Sequence, residues 1–411
     1  MYDKQHIADL DQRAKSGDIT AQLTLAGLYE SGEVINRDYG LAARWFIEAA
    51  KQGSSRAQSR LGEMYLNGIG VDRNLEKALG WFKKAADQDD ASALANIGWM
   101  YQEGMGIPRN HQKAWKWYLR AAQRGHSGAR YNVGYMYEIG IGVDADVEEA
   151  LRWYRKAAKQ GNSRALLHMG MLLAAGEGTP RNDIEAVEAF RKAAETGYHK
   201  AMYNLALMYE QGRGVPKDME QMVHWCTRAA ESGYDRAQYD LGLLYLKGKG
   251  VTKNRESAKL WLQAAAEQGY VKACYVLARC YHKGRVFKVN KDRAVKWMRQ
   301  AAEQDYARAQ FALGKMYMAG DGVEADPEKA YACILKAAKN GSRPARYYCG
   351  MMLYTGKGTG KDLHEAYQWL YAASKAGVKP ANKALVKLAR KFSEADLAEL
   401  TRKAETLIEQ N

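Results

Sequence analysis

The stretch AQSRLGEMYLNGIGVDRNLEKALGWFKKAADQDD, residues 57–90, decides the fold. Its first half aligns Ala57, Leu61, Met64 and Tyr65, and its second half aligns Ala78, Trp81, Phe82, Ala85 and Ala86. Apolar residues at i, i+3, i+4, i+7 and i+8 give a helix with one buried stripe, so the stretch predicts two amphipathic helices. Outward from it the same pattern recurs without a slip. Ala21, Ala57, Ala93, Ala129, Ala165, Ala201, Ala237, Ala273, Ala309, Ala345 and Ala381 stand 36 residues apart. A period this strict means stacked supersecondary units rather than one globular core.

Counting each alanine as position 1, the punctuation is equally regular. Position 12 is Gly in all ten units, from Gly32 to Gly356, and suits the left-handed residue that ends a helix. Position 14 is Gly except at Val34 and Val286, and position 33 is Gly except at Asp89 and Asp305. Position 18 is always Asn or Asp, as at Asp38, Asn74 and Asn110, which predicts an N-cap for the second helix. Position 6 is small, usually Gly, as at Gly62, Gly98, Gly134, Gly242 and Gly314; this lets helix backbones approach, and the Trp of the second helix fills the space between pairs. All six prolines fall in inter-helix loops or at a predicted first turn, Pro327 directly after the cap Asp326.

The expected organisation is an N-terminal capping half-repeat (1–20), ten repeats (21–380) and C-terminal capping helices (381–411). The repeats are 21–56, 57–92, 93–128, 129–164, 165–200, 201–236, 237–272, 273–308, 309–344 and 345–380. Residues 3–17 read as a second helix, with Leu10, Ala14 and Gly17 in phase. At the other end Ser393 and Asp396 form a capping-box variant ahead of a helix that buries Leu397, Leu400, Ala404, Leu407 and Ile408. A polar outer face on each end would close the stack, as expected of a whole protein.

The consensus Ala-x-x-x-Leu-Gly-x-x-Tyr-x-x-Gly-x-Gly-Val-x-x-Asp/Asn-x-x-x-Ala-x-x-Trp-x-x-x-Ala-Ala-x-x-Gly resembles the Sel-one-like repeat, a relative of the tetratricopeptide repeat. The resemblance covers about nine tenths of the chain, residues 21–380. It implies an all-α fold, a right-handed α-solenoid superhelix, used as a non-enzymatic adaptor for protein partners and frequent in bacteria. Two repeats depart from the pattern. Leu173 and Ala189 replace the Tyr and Trp of repeat 5, which predicts looser or refilled packing. Repeat 8 reads HKGRVFKVNKD, which predicts a different loop path.

In such a stack the first helices line the concave surface, so positions 36, 3, 7, 10 and 11 should face a groove. Position 3 carries Tyr131, Tyr203, Tyr239, Tyr275, Phe311 and Tyr347, with packing on the next repeat as the competing reading. Position 7 varies most, with Trp99, Tyr135, Met171, Arg279 and Lys315 among its residues. Position 36 carries Arg164, Lys200, Arg236, Lys272 and Arg308. Aromatic and Arg side chains are the usual anchors of binding hot spots.

Charge adds a second clue. The chain carries a formal +15, unevenly spread: residues 1–50 hold 5 basic and 8 acidic side chains, residues 251–300 hold 12 and 3. The basic patch includes Lys253, Arg255, Lys259, Lys283, Arg285, Lys288 and Lys291, and it would speed encounter with acidic partners. Its targets could be an acidic protein segment, an anionic membrane surface or nucleic acid; a solvated surface that keeps the protein in solution is the plain alternative.

Chemistry of other kinds finds no support in the residues. The eight histidines fall at unrelated phases, and no zinc spacing, phosphate loop or nucleophile elbow occurs. No catalytic residue, metal site or cofactor is expected. The five cysteines, at unrelated phases, are no disulfide framework. No apolar run could span a membrane, and the start MYDKQHIADLDQRAKSGD lacks the basic patch and apolar core of a signal peptide. If Met1 is the native start, a cytoplasmic location follows. The expected function is a scaffold that binds protein partners, with an acidic or extended segment docking in the groove. The alternatives are polyanion binding through the basic patch of repeats 7–8, and an exported or host-directed role.

Overall fold

The computed structural model describes residues 4–284 and 286–409, so Arg285 of the basic patch lies outside the described residues. Among those described there are 23 helices and no β-strand. Lys4–Lys15 comes first, followed by ten pairs running from Ile19–Ser31 and Tyr39–Lys51 to Arg343–Thr355 and Leu363–Lys375. Lys379–Ala389 and Glu394–Glu409 close the order. Consecutive hairpins stack within two compact units, Met1–Lys217 and Asp218–Asn411.

The expected punctuation shapes every hairpin. All ten position-12 glycines are left-handed C-caps, with φ between 63° at Gly284 and 73° at Gly104 and Gly356. All ten Asn or Asp residues at position 18 accept a backbone N–H from the first turn of the second helix, as Asn74 does from Lys77 at 2.9 Å. The C-terminal capping box forms both ways: Asp396 N–H donates to Ser393 Oγ at 3.2 Å and Ser393 N–H to Asp396 Oδ2 at 3.3 Å. Asp89 and Asp305 replace position-33 glycines yet keep positive φ, 60° and 56°. Asp89 gains an ion pair with Arg120 and Arg124 of the next hairpin.

The small residue at position 6 exists for the side chain at position 26. A Cβ on Gly98 would stand 2.8 Å from the Tyr118 ring, and one on Gly314 2.6 Å from Ile334 Cγ1. The partner side chain thus lies flat on the first-helix backbone, which is tighter than backbone approach alone. The Trp of position 25 joins neighbours as expected: Trp45 packs on the N-terminal cluster of Leu10, Ala14 and Leu25 and on that of Phe46 and Leu61.

Two further seams join consecutive repeats. The position-14 glycine, φ 69° at Gly70, sits on the carbonyl of Tyr39, 31 residues back, where no Cβ could fit. Gly142 and Gly214 meet His111 and Asp183 in the same way. At position 2 a buried Gln reaches back to a helix carbonyl: Gln58 Nε2 donates to Ala50 O at 3.1 Å, and Gln238 Nε2 to Ala230 O at 3.1 Å. Each also accepts a bond from position 32, from Gln88 at 2.9 Å and Gln268 at 2.8 Å.

Both departures keep the frame. Leu173 and Ala189 are buried, so repeat 5 closes without its Tyr and Trp. The repeat-8 loop shares features of the common path at its two ends, while its cap Gly284 lacks the backbone N–H bond that the other nine make. Gly284 caps with φ 63°, Asn290 N–H donates to Tyr281 O at 3.2 Å, and Asn290 caps the next helix. The added ring of Phe287 turns inward onto Tyr281, centroids 5.4 Å apart.

Candidate functional site

The first helices begin two residues before each alanine, so positions 34–36 and 3 cluster at one edge of the stack. Positions 11–18 fall at the other edge. A helix rises about 1.5 Å per residue, which puts Lys272 (position 36) and Lys283 (position 11) about 16 Å apart along Val271–Lys283. The basic patch therefore divides. Lys272, with Arg236 and Arg308, belongs to the N-terminal edge; Lys253, Arg255, Lys283, Lys288 and Lys291 belong to the loop edge. Lys291 is partly neutralised there, since its Nζ stands 2.9 Å from Asp321 Oδ1 while His282 Nε2 meets Oδ2 at 2.6 Å. Lys259 is half-buried on the second helix Arg255–Glu267.

Each unit carries a cleft at its N-terminal edge. In the first unit a cleft of about 620 Å³ is lined by Asn96, Trp99, Tyr131, Asn132, Arg164 and Tyr198, among others. In the second, one of about 600 Å³ is lined by Tyr275, Tyr306, Arg308, Phe311, Arg343 and Pro344, among others. Trp99, Tyr131, Arg164, Tyr275, Arg308 and Phe311 were all expected on this face, and the structure brings three of them to each cleft. Sequence reasoning passed over Tyr198, Tyr306 and Arg343, which flank the helix starts. The available signal was position 34, where Ser54, Asp90, His126 and Asn162 give way to Tyr198, Tyr270 and Tyr306.

The remaining expected residues divide by exposure. Arg164, Lys200, Arg236, Lys272, Arg279, Arg308 and Lys315 are exposed, as are Tyr135 and Met171. Trp99 is half-buried and packs on the core beneath it, short of the exposure expected of it. Tyr239 and Tyr347 are half-buried, and Tyr239 leans on Tyr270 with centroids 5.1 Å apart. Tyr203 is buried at 4% exposure, which removes it from the groove contacts: at that position the ring packs inside.

Behind the first cleft lies a polar cluster that the sequence did not announce. His168 Nδ1 meets Glu138 Oε2 at 3.0 Å and its Nε2 meets the Tyr131 hydroxyl at 3.3 Å, while the Tyr154 hydroxyl donates to the same carboxylate oxygen. Burial pushes the Glu138 carboxyl up, but the bonds from His168 and Tyr154 outweigh it and hold the group below its ordinary value. Burial drives the Tyr131 hydroxyl up to about 12. Tyr135 stacks over Tyr131 at 6.1 Å, so the cluster stiffens the cleft wall.

Among the described residues no group of three His, Cys, Asp or Glu side chains is placed to hold a metal ion, and there is no disulfide. No helix among them is long and apolar enough to cross a membrane.

The clefts stand on a recognisable scaffold. A family model described as Sel1 repeat matches ten consecutive segments from 19–54 to 343–378. Its boundaries precede the alanine frame by two residues and coincide with the starts of the first helices. A solved uropathogenic Escherichia coli protein described as a protective antigen with an SLR fold is 31% identical, with a TM-score of 0.64 over 98% of this chain and 94% of its own. A Sel1 repeat protein from Oxalobacter formigenes is 32% identical, with a TM-score of 0.62 over 75% of this chain and 89% of its own. No curated protein matches. Sel1 repeat proteins are generally protein-interaction scaffolds. With ten tandem matches on an α-solenoid of paired helices, this chain belongs to the Sel1 repeat family.

Proposed function

We propose that the protein is a non-enzymatic scaffold that holds an extended or acidic segment of a protein partner against its first-helix face. One observation carries this reading: each unit has a cleft of about 600 Å³, 620 Å³ and 600 Å³ respectively, at the same edge of the repeat. The same architectural position carries a cleft in each unit, which suits recognition of a protein segment by either one. Aromatic and guanidinium groups at both clefts supply contact area and charge recognition. Affinity purification with mass spectrometry, repeated on Trp99→Ala/Tyr135→Ala, tests it. The reading expects a defined set of partners lost from the variant; an unchanged set removes the first cleft from the proposal.

The loop edge supports a second reading. Lys253 and Arg255 of repeat 7 and Lys283 and Lys288 of repeat 8 are exposed at the loop edge, and phosphates would bind them with a steep dependence on salt. A gel shift with no complex at low salt ends that alternative. The E. coli relative is described as a protective antigen, which favours testing an exported role by fractionating native cells.

A further inference from the structure

We propose that the cleft of the second unit recognises an acidic residue and an apolar one two positions away on an extended segment of a partner protein. The inference rests on the scaffold reading and names the chemistry that one of its clefts selects.

The positive groups come first. Arg308 and Arg343 are exposed at the cleft, and among the described residues neither forms an ion pair. Arg346, one turn beyond Arg343 on the same helix, is only 8% exposed and its Nε has no hydrogen-bond partner. Arg346 lies outside the cleft lining, but the two exposed guanidinium groups of Arg308 and Arg343 give the cleft a positive wall that a carboxylate can pair with through charge-assisted hydrogen bonds. The carboxylate in the lining, Asp305, already accepts a bond from Gln310 Nε2 at 3.1 Å.

The helix starts add to this demand. In the first unit Ser54, Asp90, His126 and Asn162 cap the first helices with their side chains. At the cleft Tyr306 and Ser342 stand in that place and make no side-chain cap bond. Ala309 N–H bonds the Tyr306 carbonyl at 2.8 Å, and the start of Ala307–Ala319, uncapped by a side chain, is the positive end of the helix dipole.

The walls decide what accompanies the anion. Tyr306 meets Tyr275 edge to face, centroids 5.3 Å apart, and Phe311 and Pro344 complete an apolar floor. Side chains of an extended chain alternate between its two faces, so residues i and i+2, about 6.6 Å apart along its axis, share one; one can meet the arginines while the other enters the rings. A nucleic-acid strand asks instead for a continuous basic track, and the lysine-rich loop edge lies about a helix length away.

The test selects 12-residue peptides from a displayed random library on the full chain, then measures the winners by fluorescence anisotropy. Winners should carry Asp or Glu two positions from Phe, Leu or Trp. Arg308→Gln and Arg343→Gln, each alone and together, should weaken them by about tenfold or more, while Lys253→Gln/Lys283→Gln leaves them unchanged. Thermal melting of each variant confirms that the exposed substitutions preserve the fold. Winners without acidic residues, or winners lost only with Trp99→Ala/Tyr135→Ala, overturn the inference and leave the scaffold reading standing. Winners indifferent to both clefts, or none at all, overturn both. An oligo(dT) strand that binds through Arg308 and Arg343 more tightly than every peptide also overturns the inference.

Discussion

Gly62 lies beneath the ring of Phe82 so closely that a Cβ atom on it would stand 2.5 Å from ring carbon Cε1. Phe82 is fully buried and cannot swing away. Gly62→Ala should therefore destabilise repeat 2 by about 1–2 kcal/mol. Overpacking costs about 1–3 kcal/mol, and the gain in helix propensity returns up to about 1 kcal/mol. Urea unfolding checks the total. Hydrogen exchange should locate the loss in Ser55–Asn67 and Leu75–Ala86.

Gly70 tests the seam between repeats. Its φ of 69° and its seat on the Tyr39 carbonyl both exclude a side chain. Gly70→Ala pays left-handed strain of about 1–2 kcal/mol and in addition pushes two hairpins apart. We expect a larger loss than for Gly62→Ala, with faster exchange at the start of Tyr39–Lys51.

Gln238 tests the polar stitch. Replacing it with Leu leaves the Ala230 carbonyl without its side-chain donor and the Gln268 amide without its acceptor. The Ala230 carbonyl keeps its bond from Gly233 N–H at 3.0 Å and Gln268 is exposed, so the loss is that of ordinary hydrogen bonds, about 0.5–1.5 kcal/mol, and Gln238→Leu should lower stability by about that amount. A variant as stable as the parent contradicts the stitch.

Asp183 sets a pH dependence. Hydrogen bonds from Arg181 and then Arg213, aided by their charges, hold its carboxyl at about 2 against an ordinary 3.8. A depressed carboxyl stabilises the fold when ionised. Its contribution is whole above 3.8 and disappears as the pH falls through about 2. Asp183→Asn should thus be less stable than the parent at neutral pH, with the difference vanishing at the acid end of a melting series.

The alanine frame, the position-12 and position-18 caps and the C-terminal capping box were legible because each depends on local backbone chemistry. One residue type answers one φ or one orphan amide. The seams were less so. Gln58 reads as a surface residue until Ala50 O and Gln88 are seen around it. Gly70 reads as loop punctuation, because the carbonyl that demands it comes from another repeat. Tyr203 and Tyr275 share a phase yet differ in burial, since neighbours rather than period decide how far a ring sinks. The sign of charge was visible along residues 251–300, whereas its division between two edges required helix directions. Arg343 escaped notice because position 35 is otherwise unremarkable in sequence, and only the cleft brings it beside Arg308.

The glycine that reaches 31 residues back does so at one spacing wherever it occurs. Loss or duplication of a segment encoding 36 residues would leave each such joint with a partner at the proper remove, while any other length would misalign them. The chain is therefore built to change size in whole modules without redesign of the remainder.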